Sequence, residues 1–107
     1  INYIKKYDGE GVLVGPASQA LLGDCYVNLE KYDDAIKCFD KAISLAGDND
    51  LYTPLFILKK ATVLREQGKF AEEAKALEII KNKYPNFVTG YRVDVDKLIE
   101  RANAQAK

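Results

Sequence analysis

Leu22-Gly23-Asp24-Cys25-Tyr26, followed by Lys31-Tyr32-Asp33-Asp34-Ala35 and then Phe39, decides how the rest of the chain is read. Leu22, Cys25, Tyr26 and Leu29 recur at helical spacing, and after a short break Ala35, Ile36, Phe39, Ala42 and Ile43 do so again. Each set makes the apolar stripe of an amphipathic helix. Glu30-Lys31-Tyr32 between them has room only for a tight turn, so the two helices run antiparallel. Gly23, Ala35 and Ala42 are small enough to let the backbones approach, and Tyr26, Tyr32 and Phe39 fill the space around the crossing.

The hairpin recurs. Pro16 and Pro54 stand 38 positions apart, and the same shift carries Gly23 onto Ala61, Tyr26 onto Leu64, Lys31 onto Lys69, Tyr32 onto Phe70 and Phe39 onto Leu77. Small, bulky and helix-starting positions keep their class, which marks an internal repeat. Leu22-Gly23, Tyr26, Ala35, Phe39 and Pro85 stand where the tetratricopeptide repeat places its L-G, Y, A, F and P, and the chain resembles that family. The resemblance implies an all-α fold of antiparallel helix hairpins stacked in a right-handed superhelix, with a C-terminal capping helix.

There are departures from the family pattern. Its period is ~34 residues; the longer spacing here is absorbed by the linker Gly47-Asp48-Asn49-Asp50-Leu51-Tyr52-Thr53. Gln19 takes the place of the tryptophan in the first copy, and Lys60 that of the leucine in the second. Glu73 falls where Ala35 sits. A buried carboxylate at a close crossing is costly, so the sequence predicts that this helix is rotated or shifted until Ala74 or Ala71 meets its partner.

Residues 1–107 read as a single domain. Ile1, Ile4 and Gly9 match Phe39, Ala42 and Gly47 under the shift, so residues 1–9 read as the end of a preceding repeat whose first helix is cut away. Three glycines among residues 9–15 mark a loop. Repeat one covers residues 16–47, with helices from Pro16 to about Leu29 and from about Asp33 to Ala46, Gly47 taking a left-handed cap. Repeat two covers 54–85, with Thr53 as a side-chain cap, Pro54 in the first turn, and a second helix from about Ala71 to Lys83 that Pro85 ends. Val88, Tyr91, Val95, Leu98 and Ala102 at three- and four-residue steps predict a fifth helix from about Thr89 to Ala104, within a capping region of residues 87–105 whose polar back covers the end of the stack.

In 107 residues, sixteen basic and sixteen acidic side chains cancel, which leaves no clustered positive charge for nucleic acid or an anionic membrane. Zero histidines removes the commonest general base and metal ligand. Cys25 and Cys38 form no CxxC pair and read as small buried apolar residues, although facing helices leave a disulfide geometrically open. A thiol enzyme lacks a neighbour that would lower the thiol pKa. The expectation is no catalytic residue, no cofactor and no metal.

Function then rests on surface. Arrays of this kind bind along an inner face lined by the first helix of each pair, and with Leu22, Tyr26, Ala61 and Leu64 assigned to the core that face consists of Ala20, Asp24, Val27, Asn28, Leu58, Thr62, Arg65 and Glu66. This mixed strip suits an extended peptide or a partner helix. Arg65 and Asp24 are the sharper candidates, unless they pair with each other. The run from Leu22 to Ala42, Leu51-Tyr52-Thr53-Pro54-Leu55 and Lys83-Tyr84-Pro85-Asn86 further resemble tetratricopeptide proteins of the bacterial cell envelope, notably the soluble domain of the ancillary subunit of the Sec translocon. That resemblance implies a periplasmic scaffold tethered by an N-terminal membrane anchor outside this stretch, with a protein or peptide partner and no membrane insertion by these residues. Self-association into a homo-oligomer through the ends of the stack, or a cytoplasmic adaptor, are the alternatives.

Overall fold

The computed structural model describes residues 15–47, 49–91 and 94–106. The readings made for residues 1–14 lie outside them. Six helices form among the described residues: α1 (Pro16–Asn28), α2 (Tyr32–Ala46), α3 (Tyr52–Glu66), α4 (Phe70–Lys83), α5 (Pro85–Tyr91) and α6 (Val95–Ala106). Each packs chiefly against the next long helix, α1 on α2, α2 on α3, α3 on α4 and α4 on α6. The chain is thus all-α, built from two antiparallel hairpins in series and closed by a further helix.

The two hairpin turns are the same object. At the end of α1 the Lys31 N–H donates to the Tyr26 carbonyl at 2.8 Å and the Glu30 N–H to the Val27 carbonyl at 2.9 Å. Thirty-eight residues on, Lys69 donates to Leu64 at 2.9 Å and Gly68 to Arg65 at 3.0 Å. This is a Schellman closure, which satisfies two of the carbonyls a helix end leaves without partners and requires one residue in the left-handed region. Gly68 takes that place at φ 77, and Glu30 takes it at φ 59.

At the first crossing Gly23 is required. A Cβ there would lie 2.6 Å from Cε1 of Phe39, whose ring is fully buried. The second crossing brings the fully buried Ala61 and Leu77 into the corresponding places. Around Phe39 gather Leu22, Tyr26, Ala35, Ala42, Phe56 and Val63; around Leu77 gather Ile57, Ala61, Ile80, Phe87 and Val95. Ile43 of α2 touches both clusters and joins them into one core. No disulfide joins Cys25 and Cys38.

Four details differ from the sequence reading. Glu73 is not turned away: it is 3% exposed, with Ala74 buried beside it and Ala71 at the surface. The Schellman turn fixes the phase in which α4 begins, so the position equivalent to Ala35 is carried inward whatever side chain it holds. Thr53 does not cap α3. Asn49 does, its Oδ1 accepting from the Leu51 and Tyr52 N–H groups at 2.9 and 2.7 Å, while the Thr53 hydroxyl donates to the Gly47 carbonyl at 2.8 Å. Gly47 has φ 61 but ψ −125, outside the left-handed helical region. The capping region is two helices rather than one, because Pro85 opens α5 where its missing N–H costs nothing and Asp94 caps α6 by accepting from the Lys97 N–H at 3.0 Å.

Candidate functional site: the exposed face of the first helices

On α1 Ala17, Leu21 and Asn28 are exposed and Asp24 is half-buried; on α3 Thr62 and Glu66 are exposed, while Lys59 and Leu55 are half-buried and Leu55 packs against the second core cluster. Every member of the second set lies 38 residues after its counterpart in the first. The spacing i, i+4, i+7, i+11 keeps each set on one side of its helix. Lys59 links the two rows: its Nζ donates to both carboxylate oxygens of Asp24 at 3.2 Å. Thr62 returns its hydroxyl to the Leu58 carbonyl at 3.1 Å. Leu21 is 55% exposed and supplies the largest apolar contact of the strip.

The residues expected from sequence to line one strip divide between the surface and the core. Asp24, Asn28, Thr62 and Glu66 belong to the two rows of α1 and α3. Ala20 does not: it is 5% exposed and belongs to the first core cluster. Val27 packs against that same cluster and Leu58 against the second, both half-buried. Arg65 is also half-buried, with Nη1 enclosed and lacking a hydrogen-bond partner. Asp24 pairs with Lys59 and not with Arg65. A helix in a stack is covered by more than its hairpin partner, which the spacing of one helix does not show. Leu21, Leu55 and Lys59 were not in the expected strip, and the 38-residue shift does not single them out, since the expected residues obey it equally well.

An open groove of about 640 Å³ lies on the opposite side of α3, between α2 and α4. Ile36, Leu64, Ala76 and Ile79 supply its apolar surface, and Lys37, Lys69, Lys75 and Glu72 its charged rim. Lys60, standing in the family's leucine position, reaches across it to Asp40 at 2.6 Å, and Gln67 Nε2 donates to Asp33 Oδ1 at 2.7 Å. The groove is thus bridged by pairs within the chain. Gln19, in the family's tryptophan position, is 2% exposed and its Nε2 has no partner.

Glu73 is the buried charge of the second hairpin. Its Oε1 has no hydrogen-bond partner, and none of the ion pairs among the described residues includes it. Burial pushes its carboxyl above the ordinary value, and the guanidiniums of Arg65 and, less strongly, Arg101 offset part of that rise. At the surface, the hydrogen bond from Lys81 to Asp96, 2.6 Å long, holds the Lys81 ammonium above its usual value and ties α4 to α6. Among the described residues no group of three or more His, Cys, Asp or Glu is placed to hold a metal ion, and no helix is long and apolar enough to cross a membrane.

The hairpin turns, the glycine at the crossing and the serial packing correspond to a known repeat. Two different models of the Tetratricopeptide repeat match the chain, one over residues 16–49 and the other over residues 57–86, and together they span more than half of it. This is a tetratricopeptide-repeat protein. No match was found among curated proteins or among solved structures. In tetratricopeptide terms, α1 and α3 are the first helices of repeats one and two, α2 and α4 the second helices, and α6 seats on α4 as α3 seats on α2. Tetratricopeptide repeats generally mediate protein–protein interaction.

Proposed function

We propose that this tetratricopeptide domain is a non-catalytic module that holds a peptide or partner helix along the exposed face of α1 and α3, within a scaffold of the bacterial cell envelope. The observation that carries the proposal is a row at the same register on each first helix, Ala17, Leu21, Asp24 and Asn28 on α1 and Leu55, Lys59, Thr62 and Glu66 on α3, exposed or half-buried and joined by the Asp24–Lys59 pair. Leu21 and Leu55 provide modest apolar contact, and Asn28, Thr62 and Glu66 provide hydrogen-bonding groups, a combination suited to an extended segment whose backbone also needs partners. The envelope setting and the tether rest on the likeness of the Leu22–Ala42, Leu51–Leu55 and Lys83–Asn86 stretches to envelope tetratricopeptide proteins.

The test is site-specific photo-crosslinking in cells. Probes at Asn28 and Thr62 are expected to capture a discrete protein partner, and Leu21→Asp with Glu66→Lys to abolish that capture while leaving helicity unchanged. Crosslinks confined to probes at Lys37 and Lys75, in the groove between α2 and α4, would contradict the reading.

A further inference from the structure

The groove between α2 and α4 has no part in the face of α1 and α3, and its charges are unevenly committed. Lys60 and Asp40 hold each other across it, and Asp33 accepts from Gln67. Lys37, Lys69 and Lys75 are exposed and enter no ion pair among the described residues. Against these three ammonium groups the lining sets one carboxylate without a partner, that of Glu72. The rim is therefore positive in a chain whose charges cancel overall.

The floor is apolar. Leu64 and Ala76 are buried beneath it, Ile36 is half-buried on the α2 wall, and Ile79 on the α4 wall is 46% exposed. Ile79 thus offers apolar area that the described helices leave uncovered. The same construction occurs one repeat earlier. Tyr26, Asp34, Lys37 and Cys38 line a smaller hollow of about 320 Å³ between α1 and α2, and 38 residues after them stand Leu64, Glu72, Lys75 and Ala76 of the groove. Lys37 borders both hollows, so the two meet at its side chain.

We infer that this side of the stack is a second docking surface, and that its occupant is an acidic segment of a partner protein in which carboxylate side chains flank an apolar one. The apolar side chain rests against Ile36 and Ile79 over the buried Leu64 and Ala76. The flanking carboxylates meet Lys37 on one wall and Lys75 on the other. Because Lys60 and Asp40 neutralise each other, selection by charge falls to the rim. Attraction between exposed charges of this kind steers encounter and fixes register, and salt weakens it.

The test is fluorescence anisotropy with the full chain and a labelled peptide in which glutamate pairs alternate with leucine, blocked at both ends so that only side chains carry charge. The peptide is expected to bind, less tightly as salt is added, and Lys37→Glu with Lys75→Glu should weaken it at least about tenfold at unchanged helicity. If that reversal disturbs the fold, Lys37→Gln with Lys75→Gln should give a smaller loss of the same sign. Leu21→Asp with Glu66→Lys, which disables the face of α1 and α3, should leave the acidic peptide bound, so the two surfaces fail separately. No binding, equal binding of the peptide with glutamine for glutamate, or indifference to the lysine variants overturns the inference. So does a single-stranded DNA oligonucleotide that competes equally well through the same lysines, since the groove would then be a general polyanion site.

Discussion

At the crossing of α1 on α2 a glycine faces a phenylalanine, Gly23 against Phe39; at the crossing of α3 on α4 the corresponding pair is Ala61 and Leu77. The first hairpin puts all the volume on one helix and the second shares it between both. Both pairs are buried and both hairpins close through the same Schellman turn. What the repeat conserves within this chain is thus the summed volume at the crossing and the phase set by the turn, rather than any one side chain. The comparison also shows where the second copy is worse built, at Glu73 in place of Ala35, and where the first is, at Glu30 in place of Gly68.

These differences can be attacked in order of size. Phe39→Ala, which empties the first crossing opposite a glycine that cannot fill the space, should cost about 3–5 kcal/mol in urea denaturation; a loss as small as that of a surface substitution would show that the two crossings are not equivalent. Glu73→Ala gives the second hairpin the side chain of the first and should stabilise the chain by about 1–3 kcal/mol at neutral pH, the desolvation cost of an unpartnered buried group. The gain should shrink as pH falls through the raised Glu73 value, because protonation already relieves the charge in the parent chain. Glu30→Gly removes a side chain from the left-handed region at φ 59 and should raise stability by about 0.5–1 kcal/mol. Asp24→Ala breaks the surface pair with Lys59 and should change stability by no more than about 0.5 kcal/mol, so any larger effect on partner capture belongs to the binding face.

How much of this could be read from the residues varies with the reach of the forces involved. The first four helices and the crossing at Gly23 were legible, because apolar spacing and the exclusion of a Cβ are local facts. Glu30 in the left-handed region was not, since nothing marks a glutamate for that conformation; comparison with Gly68 is what exposes it. The Thr53-Pro54 pair reads as a helix start and masks the better acceptor at Asn49, four residues earlier than the threonine. Asp94 likewise hides its cap inside a run that looks continuously helical. Glu73 was judged on its desolvation alone, and the turn that fixes its phase prevailed. For the candidate face, Ala20, Val27, Leu58 and Arg65 were expected to be open, whereas Ala20 lies in the first core cluster and the other three are half-buried, because packing between separate helices leaves no trace in the pattern of a single one.

The equivalence of the two crossings is the claim on which the rest depends, and a double-mutant cycle measures it. Gly23→Ala alone should cost about 1–3 kcal/mol, because the added Cβ meets a fully enclosed Phe39 ring. Phe39→Leu alone leaves a void opposite the glycine. Made together they reproduce the Ala61–Leu77 pair, and the account predicts that the double variant loses clearly less stability than the two single losses added. Strict additivity would contradict it, since it would mean that residues 23 and 39 do not share one crossing.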